Sequence, residues 1–133
     1  MLVRWRFPTV AMLLAVACSG PSGLTELPSG RWGGDRVELV VGPASAQVEL
    51  DCAHGSFPSP IPLREGAFDV AGVLVPERGG PVRGGEVLPE YSARYRGTTD
   101  GKRMTLTIEA QGLERLGPFS LELGRSARIV KCL

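Results

Sequence analysis

A chain of 133 residues with 18 Gly, 11 Pro and a net charge of +1 has room for one domain. It shows no charge excess of the kind that draws nucleic acid or an anionic surface. Charged residues are scattered singly, as on a solvated face, and nucleic acid is not an expected partner.

At the N-terminus, Arg4 and Arg6 precede the uncharged run from Phe7 to Ala17, and Cys18-Ser19-Gly20-Pro21-Ser22-Gly23 follows. A basic flank, a short apolar core and small residues, in that order, make a secretory signal. The run is shorter than the roughly 20 residues a bilayer-spanning helix needs. Residues 1–17 are therefore expected to be a cleaved signal peptide, 18–29 a flexible tether, and 30–133 a single domain. Removing Arg4 and Arg6 takes the net charge from +1 to about −1.

Ala15-Val16-Ala17-Cys18 resembles the lipobox of bacterial lipoproteins, in which the Cys is diacylated and becomes the first residue. Leu is usual three residues before that Cys; here Ala15 stands there, with Leu14 one step back. Ala15-Val16-Ala17 also reads as the small-x-small site of ordinary signal peptidase, which cuts the same bond and releases a soluble secreted or periplasmic protein. The resemblance implies a lipid on Cys18, a membrane as partner and a place in the cell envelope. With Cys18 assigned to lipid, Cys52 and Cys132 remain as an even pair in an oxidising compartment, which predicts a disulfide.

Taken in chain order, the mature sequence predicts strands at 36–41, 46–52, 68–75, 91–97, 102–110, 119–123 and 126–132. Ala46 to Cys52 alternates apolar and polar without a fault and places Cys52 on the buried side. The same period runs through Met104 to Ala110. Val41-Gly42-Pro43-Ala44, Asp100-Gly101 and Leu123-Gly124-Arg125 read as turns. The proline-rich 55–63 reads as a cover over one end or edge of the sheet, and 76–89 as a long loop. The expected fold is all-β, an antiparallel meander of about seven to eight strands that closes into a barrel, with a β-sandwich as the alternative. A crosslink from Cys52 to Cys132 would join the second strand to the last. It would close about eighty residues and remove roughly 4 to 5 kcal/mol of denatured-state freedom.

Residues with chemical potential are few. His54 is the only histidine, and the sequence offers it neither nucleophile nor fellow ligands, so no catalytic residue, metal or cofactor is expected and the chain is read as not an enzyme. Glycine pairs in 76–89 do not make a phosphate cradle, because Pro81 and Pro89 deny the helix that must follow. Arg78 and Arg83 of that loop, with His54, are the candidate binding residues. Glu49 and Asp51 lie on an outer strand face and read as solubility.

Two further resemblances bear on function. Gly30-Arg31-Trp32 before the first strand and Arg128 in the last are similar to the Gly-x-Trp start and late Arg of calycin barrels. That likeness implies a Trp32–Arg128 pair closing one end and a small-ligand carrier. An early Cys52 joined to Cys132 in an exported barrel is similar to the bacterial inhibitors of C-type lysozyme, but that family's Ser-Gly-x-x-Tyr and Lys-Gly-x-x-Ala motifs are not found here. The functional expectation is a lipid-anchored envelope module that binds a partner protein or small ligand. Its alternatives are a calycin-like carrier and an inhibitor of a hydrolase such as lysozyme. The bulk of Val37, Leu39, Val48, Leu50, Phe68, Tyr95, Leu106 and Leu121 favours a filled barrel over a hollow one. Oligomeric state is not legible.

Overall fold

Alternating apolar residues become strands, and in a computed structural model describing Leu2 and residues 23–78, 84–85 and 87–132 eight strands follow one another in a meander. They are β1 (Gly30–Gly34), β2 (Val37–Val41), β3 (Ser45–Leu50), β4 (Ala53–Pro58), β5 (Ala67–Pro76), β6 (Tyr91–Thr99), β7 (Arg103–Ala110) and β8 (Leu116–Leu123). Each pairs antiparallel with the next, and β8 returns to β1 with Trp32 opposite Leu123 and Gly34 opposite Leu121. The sheet is therefore a closed barrel and not a sandwich. No helix occurs among the described residues.

Inward positions bury Trp32, Leu39, Val48, Phe57, Leu74, Tyr95, Leu106, Ile108 and Leu121 almost completely. Outward positions carry charge, including an ion-pair ladder in which Asp69 holds Arg94 at 2.8 Å and Arg96 at 3.2 Å, and Glu109 holds Arg96 at 3.4 Å and Arg115 at 2.9 Å. Apolar inside and charged outside is the inverse of a barrel embedded in lipid. Exposed pairs of this kind contribute little stability each, so the core carries the fold.

Large rings fit because glycines face them. A Cβ at Gly55 would collide with the Tyr95 hydroxyl and lie 2.5 Å from Val73 O, and one at Gly72 would sit 2.8 Å from Phe57 Cβ. The Phe57 and Tyr95 rings meet with centroids 4.6 Å apart, and the Tyr95 hydroxyl donates to Val73 O at 2.6 Å. Burial pushes the Tyr95 phenol far above its ordinary pKa, so it stays a donor.

Three expectations are corrected. Ala53–Pro58 is a strand and not part of the proline cover, because its inward residue Gly55 is a core position emptied for Tyr95. Residues 126–132 are not a strand: β8 already pairs with β1, so no edge remains, and Arg128 makes only an isolated bridge to Asp35. Cys52 is exposed in the bend between β3 and β4, where the alternation has stopped. A further strand, Gly30–Gly34, reads as loop from its glycines. Gly33 is glycine because its outer face lies under the chain at Arg125 and Ala127, where a Cβ would sit 2.9 Å from Ala127 N.

The barrel has two distinct ends. At the proximal end, Leu27 N donates to Ile61 O at 2.9 Å and Leu63 N to Thr25 O at 2.8 Å, so the segment from Leu24 and the 59–63 stretch seal the opening with buried Leu27 and Ile61. The proline-rich stretch beyond β4 thus does cover one end. The distal end carries the β1–β2 and β3–β4 turns and the connections from β5 to β6 and from β7 to β8.

Candidate functional site

The distal end is where the chain's polar chemistry converges. Beyond β8 the backbone reverses at Gly124, whose φ is 83°, and runs as a strap along the outer face of β1. Arg128 N donates to Gly34 O at 3.0 Å and Arg36 N to Arg128 O at 2.7 Å, which anchors the strap on the β1–β2 turn. Arg36 itself sits at φ 69°, a left-handed backbone that only tight turns hold for a non-glycine residue.

From there the strap reaches the β3–β4 turn. Cys132 N donates to Asp51 O at 3.0 Å, and Cys52 and Cys132 form a disulfide with Cα atoms 5.3 Å apart. The crosslink therefore joins a turn to a terminal strap, and not two paired strands. The Asp51 carboxylate receives Arg36 Nε at 2.6 Å and Val130 N at 3.1 Å. The bond from Arg36, followed by that from Val130, holds its pKa below the usual 3.8.

Lys131 is the hub. Its Nζ donates to Glu49 Oε2 at 2.7 Å, Leu50 O at 2.9 Å and Glu77 Oε2 at 2.9 Å. Glu77 Oε1 meets His54 Nδ1 at 2.8 Å, and Glu77 N donates to Cys52 O at 2.8 Å. Partial burial pushes the Glu77 carboxyl up, but its bonds to Lys131 and His54 outweigh that and leave it below 4.5. Lys131 likewise ends above 10.5, burial being outweighed by Glu49 and Glu77. The strap, β3, β4 and the start of the β5–β6 connection are thereby tied at one point.

Beside this cluster the barrel mouth keeps a small apolar cleft of about 130 Å³, lined by Leu50, Ala53, Leu116 and Phe119, with Arg36, Asp51 and Cys52 on its rim. Val87, Leu113 and Val130 are exposed around the same end. A wider concavity of about 680 Å³ lies on the outer face near the proximal end. Thr98, Thr105 and Ser120 form a cross-strand row within it, beside Arg103, Glu122 and Arg125.

The residues singled out from sequence fall as follows. His54 of β4 bonds through its side chain to Glu77, the residue just past β5, and Arg78 follows as the first exposed residue of the long connection. Arg83 and Cys18, with the signal segment, lie outside the described residues. Trp32 is fully buried and donates its indole N–H to Pro28 O at 3.1 Å, whereas Arg128 is exposed in the strap, so the two are set on different faces of β1. Glu49 and Asp51 prove to be strap partners. Lys131 and Glu77 were not legible as site residues. The one signal was the adjacency of Lys131 to Cys132, which places its amine wherever Cys52 goes.

The chain matches no protein-family model, no curated protein and no solved structure. No helix among the described residues is long and apolar enough to cross a membrane.

Proposed function

We propose that this chain is an exported interaction module of the cell envelope, anchored by a lipid on Cys18, that presents its distal end to a partner protein. The observation that carries the reading is the opposition of the two ends. The N-terminal segment meets the barrel at the proximal end, where Leu24 lies against Gly101 of the β6–β7 turn and Leu27 against Ile61. A tether leaving there turns the distal rim, with its clasped turns, apolar cleft and exposed Val87, Leu113 and Val130, away from the membrane. An exported, oxidising setting also suits the disulfide. The interior, filled by Trp32, Tyr95, Phe57 and their neighbours, supports an interaction module over a carrier of calycin type.

Two measurements test this. Mass spectrometry of the mature N-terminus should find a diacylated Cys18; an unmodified Cys18 or a different first residue sinks the anchor. Crosslinking from a photoreactive residue placed at Leu113, on the distal rim, should capture an envelope protein that the same probe at Thr105, on the barrel side, does not. Equal capture from both positions refutes the distal-end reading.

A further inference from the structure

We propose that the Cys52–Cys132 disulfide is a thiol-exchange site whose reduction releases the strap and loosens the start of the β5–β6 connection, so that redox conditions set the form of the distal rim. The consequence for binding rests on the interaction reading above; the release itself does not.

Three observations carry it. Both cysteines are exposed, so a reductant reaches them. Along 125–132 only Ala127 and Ile129 are even half-buried, so the strap contributes almost nothing to the core. The barrel closes without it, through the β1–β8 ladder. What remains are the backbone bonds at Arg128 and Cys132, the exposed Arg125–Asp35 ion pair at 3.6 Å, the Val130 N–H on Asp51 and the Lys131 amine. Segments held by few buried contacts and by solvent-facing bonds open locally at low cost. The covalent link is the one tie that does not fray, and Lys131 and Glu77 N pass its position on to the long connection.

The chemistry is two-electron exchange with a dithiol reductant. One reductant thiolate attacks a cysteine Sγ, the S–S bond breaks, and the other cysteine leaves as a thiolate that takes a proton. The second reductant thiol then displaces the first protein sulfur from the mixed disulfide. The protein gains two electrons and two protons, and the dithiol becomes a disulfide.

Hydrogen exchange of the full chain, with and without dithiothreitol, tests this. On reduction the amides of Arg128, Cys132 and Glu77 should fall to within about tenfold of unstructured-chain rates, while those of β7, sped only through global unfolding, should remain at least about a hundredfold slower than the strap. A Cys52→Ser/Cys132→Ser variant should show the fast strap regardless of reductant. Lys131→Met, kept oxidised, should speed Glu77 but leave Cys132 slow. The proposal is overturned if the reduced strap keeps its protection, if β7 loses its protection along with the strap, or if Lys131→Met alone frees Cys132. Failure to crosslink a partner at the distal end would remove the interaction reading and leave these exchange results standing.

Discussion

Substituting Gly55 by Ala places a methyl group where the Tyr95 hydroxyl now lies and 2.5 Å from Val73 O, the two ends of one hydrogen bond. Val73 O is backbone in a paired strand and yields little, so the Tyr95 hydroxyl must move. Breaking its bond strands a buried O–H at a cost of about 1–3 kcal/mol. Forcing a methyl into a packed core adds about 1–3 kcal/mol. Gly55→Ala should therefore lose roughly 2–6 kcal/mol, a large share of the stability of a domain this size. Tyr95→Phe alone should cost only about 0.5–1.5 kcal/mol, the net worth of one hydrogen bond. In the double variant the methyl no longer meets a hydroxyl, so the combined loss should fall short of the sum by about 1–3 kcal/mol. Urea denaturation of the oxidised proteins, followed by tryptophan fluorescence, measures all three. Additivity within about 0.5 kcal/mol, or a Gly55→Ala protein as stable as the parent, would refute the claim that Gly55 is an emptied core position.

Replacing both Cys52 and Cys132 with Ser should lower stability by about 4.5 kcal/mol by the loop-entropy relation for a separation of 80 residues. Near-ultraviolet circular dichroism should still report a packed barrel, and a loss under 1 kcal/mol would contradict the relation here. Leu106→Ala, at a fully buried site, should cost about 2–5 kcal/mol in the same denaturation assay. Arg94→Ala, in the exposed ladder, should cost less than about 1 kcal/mol, and a larger loss would mean the ladder carries the fold. Neither Glu77 nor Lys131 should change its own charge between about pH 5 and 10. Glu77, held below 4.5, stabilises the fold above that value and loses its contribution as pH falls through its lowered folded value. Lys131, held above 10.5, stabilises below that value and loses its contribution as pH rises through its raised one. Amide shifts of residues 128–132 should move at both extremes, and an absence of movement at either would contradict the assignment.

Alternation alone determined the class of fold and most of its strands, because a residue's side in a β-strand is set by a period of two. Met104 to Ala110 needed nothing else. The pairing of Cys52 with Cys132 was equally legible, since three cysteines with Cys18 assigned to the expected lipid leave one partner for each. Glycine-bearing strands were not: Gly55 and Gly33 look like turn residues in one dimension and become strand residues only because Tyr95 and the strap occupy the space their side chains would take. The strap shows the converse. Residues 126–132 read as a last strand after the Leu123-Gly124-Arg125 turn, yet β8 had already paired with β1, and a closed barrel offers no edge. Once excluded from the sheet, the segment runs over the outer face of β1 to reach the distal end. There the disulfide set its reach, and Lys131 met Glu49 and Glu77, residues 82 and 54 positions away in the chain. The composition of the distal cluster was written in the sequence; its assembly depended on which strands closed the barrel.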